Sequence, residues 1–175
     1  MKEISRRRFL KLAGCTGIFG LVASYPLFIE RYMIMTNTYR IPVTNLPPAF
    51  SGFRLVHLTD LHYGYLVPRC LIRSVIDRAN RIARDIIVCT GDYVNEYRSV
   101  EQINAVWPLM AELYAPAGVF SVLGNHDHWA DTSRSQYWLT KTGQDLRHKA
   151  VPIEKDGTRL WLVGAGDLWE DHKSL

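Results

Sequence analysis

The tetrapeptide Gly124-Asn125-His126-Asp127 follows the apolar run Val119-Phe120-Ser121-Val122-Leu123, and its reading decides that of the whole chain. The run predicts a short buried strand. The amide, imidazole and carboxylate then lie at its C-terminal end, where open α/β sheets place their sites. Two further apolar segments end alike. Phe53-Arg54-Leu55-Val56-His57-Leu58-Thr59 leads into Asp60-Leu61-His62, and Asp85-Ile86-Ile87-Val88-Cys89-Thr90 leads into Gly91-Asp92. The second of these reads as a strand buried on both faces.

Helical periodicity fills the gaps. Val67, Leu71, Val75, Ala79 and Ile82 recur at helical spacing around Pro68, and Ser99 with Gln102 forms a capping-box pattern ahead of Ile103, Val106, Trp107, Met110 and Leu113. Pro108 is expected to kink or split that second helix. Helical crossovers keep the three strands parallel and bring their polar endings to one edge. Further on, residues 132–142 predict a helix closed by Gly143, and residues 151–154 and 158–163 a hairpin about Lys155-Asp156-Gly157. Upstream, Arg40-Ile41-Pro42-Val43 before Leu46-Pro47-Pro48 reads as a first edge strand closed by a rigid turn.

With 175 residues, 47% hydrophobic and 22% charged, the chain is long enough for one domain with a sizeable core. Its formal charge of +4 is concentrated at the start. From residue 45 onward 14 basic residues face 15 acidic ones, a balance of −1 that argues against a nucleic-acid partner. Cys15, Cys70 and Cys89 show no paired metal spacing, and two of them fall in apolar periodic segments that predict buried, unpaired thiols.

Residues 1–30 carry a positive segment and then an apolar one, the layout of a targeting sequence. Ser5-Arg6-Arg7-Arg8-Phe9-Leu10-Lys11 resembles a twin-arginine export signal at every motif position. That resemblance implies the twin-arginine export machinery as a partner, an extracytoplasmic location, and export of a folded protein that has already acquired its metal. The 18 residues from Leu12 to Ile29 would extend roughly 27 Å as a helix, so a cleaved signal and an uncleaved membrane anchor both remain open. Residues 31–50 then form a linker with the edge strand, and residues 51–175 the N-terminal part of the main domain.

Three strand endings rich in carboxylate, imidazole and amide groups would repel and desolvate one another at a cost of several kcal/mol if left unpaired. A cation resolves this. Oxygen and imidazole donors without thiolate suit Mn, Fe, Zn or Mg. In this order and spacing, Asp60-x-His62, Gly91-Asp92 and Gly124-Asn125-His126-Asp127 resemble the first three blocks of the calcineurin-like metallophosphoesterases, over residues 40–170. The family implies an α/β sandwich of two β-sheets flanked by helices. Together with the export signal, it implies a bacterial membrane-associated phosphodiesterase or pyrophosphatase acting on phosphoester or lipid-linked pyrophosphate substrates at a membrane surface.

The same resemblance implies the site. Asp60 and His62 would bind one of two divalent metal ions, Asp92 would bridge both and Asn125 would bind the second. A metal-bridging hydroxide would attack phosphorus, and His126 would stabilise or protonate the leaving oxygen. Asp127 would orient His126 or hold the loop. The family's later blocks, a lone histidine and Gly-His-x-His, do not occur before Leu175. The expectation is therefore a fold incomplete at its C-terminus, a fragment of an enzyme with little activity of its own. The alternative is a catalytically dead envelope protein retaining the fold as a binding module.

Other histidines read more plainly. His57 predicts a core histidine, while His148 and His172 predict surface positions. His128 and Trp129 either line the substrate side or form an exposed histidine on a tryptophan. Asp167 predicts turn chemistry.

Overall fold

A computed structural model describes residues 5–171. The chain divides into two units, Met1–Ile41 and Pro42–Leu175. In the first, helix α1 (Arg6–Phe28) includes a stretch, Arg6–Pro26, long and apolar enough to cross a membrane by length and composition. Its Thr16 and Ser24 hydroxyls bond within the helix. Thr16 donates to the carbonyls of Leu12 and Ala13, and Ser24 to that of Leu21.

The second unit is built on three parallel strands in the order β1 (Leu55–Leu58), β2 (Ile86–Cys89) and β3 (Val119–Ser121). Leu55 is in register with Ile86, and Ile87 with Val119. Helices α2 (Arg69–Arg81) and α3 (Val100–Met110) are the two crossovers. The strands are shorter than the apolar runs that encode them, because the residues after each run leave the strand to form the loops at its C-terminal end.

β2 is the centre of the domain and alternates between two cores. Ile87 and Cys89 pack on the helical side with Ile72, Ile76, Ile103, Trp107 and Leu123. Ile86 and Val88 pack on the other side with Phe50, Phe53, Phe120, Ile153 and Leu160. This second core is covered by the hairpin β4 (Lys149–Lys155) and β5 (Thr158–Gly164), turned at Asp156 and Gly157, whose φ values are 49° and 72°. The result is a layer of helices, a parallel sheet and a two-stranded antiparallel sheet, consistent with the expected α/β sandwich.

Helix α4 (Asn125–Thr142) breaks at Asp131 (φ −175°, ψ 107°), where the carboxylate accepts from the Arg134 N–H at 2.7 Å and starts the second segment. That segment is the helix expected over residues 132–142, and Gly143 closes it at φ 70°. The first segment carries the polar tetrapeptide.

Several expectations are corrected. The segment Arg40-Ile41-Pro42-Val43 forms no strand among the described residues; Pro42 lacks a ladder donor and no neighbouring strand offers a partner. The buried stripe of α2 runs through Ile72, Ile76 and Ala79, one position round from Leu71 and Val75, which are half-buried. Pro108 neither kinks nor splits α3, because it sits in the last turn before Met110. Of the cysteines only Cys89 is buried. His57 is exposed on β1 and bonds Thr90 Oγ1 at 2.8 Å, because the hairpin does not extend over that face of β1. His148 is not a surface residue either; its Nε2 stands 2.9 Å from Asp171, with both side chains largely buried. His172 lies outside the described residues.

Candidate metal centre

The loops after β1 and β2 run on side by side beyond the strands. Thr90 N donates to Leu58 O, His62 N to Asp92 O at 2.9 Å and Tyr63 N to Tyr93 O at 2.9 Å. This pairing sets Asp60 and His62 beside Asp92. Three of the expected ligands adopt left-handed backbone, Asp60 at φ 54°, His62 at φ 45° and Asp92 at φ 56°. Such backbone favours glycine and costs a side-chain-bearing residue about 1–2 kcal/mol. Keeping three polar side chains there points to function.

The third ending joins through two glycines. A Cβ on Gly91 would lie 2.1 Å from Gly124 N, and one on Gly124 would lie 2.2 Å from Asp92 Oδ1. The backbones after β2 and β3 therefore touch where a side chain would separate them. His126 N then donates to Asp92 Oδ1 at 3.0 Å.

His62, Asp92 and His126 each bring one donor atom into a group that spans 4.8 Å. His62 Nε2 is 3.6 Å from Asp60 Oδ1 and 3.7 Å from Asp92 Oδ2. These gaps are too long for hydrogen bonds. They are near the roughly 3–3.5 Å that separates two donors sharing one ion. His62 Nδ1 is buried with no hydrogen-bond partner among the described residues. The Asp60, His62 and Asp92 donors therefore fit a divalent cation, with the His126 ring adjacent to them. Asp60 occupies the open rim and is also bonded by Thr59 Oγ1 at 2.5 Å. Asn125 is the first residue of α4, half-buried and directly ahead of His126.

Asp127 faces inward. It is fully buried; its Oδ2 accepts from Asp92 N at 2.8 Å and Gly124 N at 3.0 Å, and its Oδ1 from Tyr93 N at 2.9 Å. Burial pushes its carboxyl up to about 7, against the downward pull of those three N–H donors. Of the two roles open to Asp127, these bonds are those of a loop holder.

Three further residues support the site, of which the sequence offers Trp129 as a lining of the substrate side and Gln102 only as part of a helix cap. The Asn95 carbonyl lies 3.0 Å from His126 Nδ1, which fixes the ring and leaves Nε2 free. Gln102, half of the expected capping box, does donate its backbone N–H to Ser99 Oγ at 3.3 Å, but its side-chain oxygen accepts from the N–H groups of Asn95 and Glu96. Trp129 packs on His126 at 4.9 Å between ring centres. His128, by contrast, turns into the protein toward Thr132, and burial holds its pKa down. Asp167 caps a turn, accepting from Trp169 N and Glu170 N at 2.9 Å each.

The fold and this centre define a metallophosphoesterase domain, and residues 53–174 match the calcineurin-like phosphoesterase family. The chain belongs to that family. It is 34% identical over 96% of its length to the uncharacterized metallophosphoesterase YkuE of Bacillus subtilis, covering 62% of that protein. It is 30% identical over 95% of its length to the phosphodiesterase YaeI of Escherichia coli, again covering 62% of it. The UDP-2,3-diacylglucosamine pyrophosphatase LpxG of Chlamydia trachomatis is 36% identical over 67% of the chain and 36% of its own length. The chain thus spans less than two thirds of each of these relatives. No solved structure matches it significantly.

Proposed function

We propose that this protein hydrolyses phosphodiester or pyrophosphate bonds with two divalent metal ions. The observation that carries the reading is the convergence of His62, Asp92 and His126 from three strand ends within 4.8 Å. Asp60 and His62 would hold one ion, Asp92 would bridge, and Asn125 would complete the second site. Ions bound there supply Lewis-acid stabilisation of the charge that builds on the phosphoryl oxygens.

The chain's own groups do the rest. His126, anchored through Nδ1 on Asn95, presents Nε2 to donate a proton to the leaving oxygen. Asp92 orients the start of α4 by accepting from His126 N, and Asp127 positions both loops from beneath. The relatives named as a phosphodiesterase and a diacylglucosamine pyrophosphatase support phosphoester and lipid-linked pyrophosphate substrates. The Ser5–Lys11 pattern and the apolar helix support export through the twin-arginine machinery with α1 as a membrane tether.

Turnover of bis(p-nitrophenyl) phosphate with added Mn tests the reading. Asp92→Asn is expected to lower it at least about 100-fold, on the scale of losing one group that stabilises transition-state charge. Equal turnover in both proteins would refute it.

A further inference from the structure

His126 is anchored at Nδ1 on the Asn95 carbonyl, and a single hydrogen bond leaves its ring free to swing about that point. Two neighbouring rings limit the swing. His62 meets the His126 ring edge-on at 4.6 Å and 88°, and Trp129 lies against it at 4.9 Å, tilted by 49°. Trp129 is itself held at two points. Its carbonyl accepts from Arg98 N at 3.0 Å, and its indole Nε1 donates to Glu170 Oε1 at 2.9 Å, across 41 residues of chain.

Glu170 is exposed, and an exposed carboxylate on a free chain would be a weak hold because it gives up side-chain freedom to make its bond. This one sits in a turn whose backbone is fixed. Asp167 Oδ1 accepts from Trp169 N and Glu170 N, and Asp171 N donates to the Asp167 carbonyl at 3.1 Å. Asp171 then ties the turn down: its carboxylate accepts from Arg147 Nη1 at 2.7 Å and stands 2.9 Å from His148 Nε2, with all three side chains largely buried. Gly166 closes against that pair, since a Cβ there would lie 2.6 Å from His148 Nε2 and 2.7 Å from Asp171 Oδ2. The carboxylate that takes the Trp129 indole is thus delivered by an anchored segment.

We propose that Glu170 is a positioning residue for the hydrolysis, holding Trp129 so that its ring keeps His126 Nε2 aimed at the leaving oxygen. The inference rests on the phosphoesterase reading above and concerns one step of it. As the P–O bond to the leaving group breaks, its electron pair stays on oxygen and the His126 Nε2 proton goes to that oxygen, while water supplies the new P–O bond. Proton transfer depends steeply on distance and angle, so a loosened Trp129 costs most where the leaving oxygen most needs the proton.

Turnover of two diesters by the Mn-loaded protein tests this: bis(p-nitrophenyl) phosphate, whose leaving group departs as a stable anion, and diphenyl phosphate, whose leaving oxygen is far more basic. Glu170→Ala should lower kcat on diphenyl phosphate roughly 10- to 100-fold and on the nitrophenyl ester less than about 3-fold, with KM unchanged for both. Glu170→Gln, whose amide oxygen still accepts from the indole, should stay near wild type. In a Trp129→Phe background, which lacks the indole N–H, Glu170→Ala should add no further loss. Equal losses on the two esters, no loss on either, a loss in Glu170→Gln as deep as in Glu170→Ala, or a full further loss in Trp129→Phe overturns the assignment. If wild type turns over neither ester, the phosphoesterase reading fails separately, and the contact is decided by nuclear magnetic resonance of the metal-free protein. Ring protons of His126 shifted by the Trp129 ring in wild type and Glu170→Gln, and released in Glu170→Ala, support the hold; shifts that Glu170→Ala leaves unchanged overturn it.

Discussion

Gly91→Ala should unfold the centre from its hinge. The new Cβ would stand 2.1 Å from Gly124 N and 2.7 Å from Gly124 Cα and Leu123 C, all of them backbone atoms that no rotamer change can clear. The loops after β2 and β3 must part by more than an ångström to restore van der Waals contact. Left-handed backbone at φ 100° adds about 1–2 kcal/mol of strain for alanine. Parting the loops breaks at least one of the bonds that Asp127 accepts from Asp92 N and Gly124 N, at about 1.5–3 kcal/mol for a bond to a carboxylate. Residual overpacking contributes about 1–3 kcal/mol more. The expected loss is therefore about 4 kcal/mol or above. Gly52→Ala is the control, because Gly52 has φ 72° and nothing within 4 Å, so it should cost only about 1–2 kcal/mol of backbone strain. Urea unfolding of both variants, metal-free and followed by circular dichroism, measures the difference from the midpoints at constant slope. Gly91→Ala within about 1 kcal/mol of Gly52→Ala would refute the interlocked-loop argument.

Gln102→Ala should destabilise by about 1 kcal/mol, since it removes the acceptor of Glu96 N–H and one of the two acceptors of Asn95 N–H, which keeps its bond to Tyr63 O. Because the Asn95 carbonyl then drifts from His126, kcat should fall more than KM rises; an unchanged kcat would dissociate Gln102 from His126. Mn at about 100 times its dissociation constant should stabilise the protein by about 2.7 kcal/mol in thermal unfolding, and Asp92→Asn should abolish that shift. An equal shift in both would place the metal elsewhere. Asp127 titrates near 7 folded against 3.8 as the reference, so its folded value is raised. The stability it contributes is fully present below about pH 3.8 and is lost as pH rises toward 7. In the metal-free protein the urea midpoint should fall across that window more steeply than in Asp127→Asn, and parallel profiles would count against the buried charge.

What could be read from the sequence and what could not divides by range. The parallel strands, the Asp-Gly hairpin turn and the helix closed at Gly143 are written in neighbouring residues, and the structure keeps them all. The polar strand ends were legible for the same reason, since a buried strand leaves its first loop residues at the sheet edge. Burial of α2 slipped by one position because Leu71 and Ile72 are both apolar and only the facing helix chooses between them. His57 misled because its burial depends on how far a hairpin a hundred residues later extends.

Trp129 could be read as a neighbour of the site because it follows His126 closely in the chain, but the holding roles of Asn95 and Gln102 could not, because each is a contact made by the fold. Asn95 reaches His126 across 31 residues, and it does so through a backbone carbonyl that every residue type possesses. Backbone strain supplies what spacing lacked. Asp60, His62 and Asp92 occupy conformations that glycine would hold at lower cost, in loops that already use Gly91 and Gly124 where space demands it. A chain able to place glycine there and keeping two carboxylates and an imidazole instead gives up stability, about 1–2 kcal/mol at most at His62 and less at Asp60 and Asp92, whose short side chains tolerate this backbone better. Stability alone would have removed those side chains, so the centre they form must be worth more to the protein than the strain it imposes.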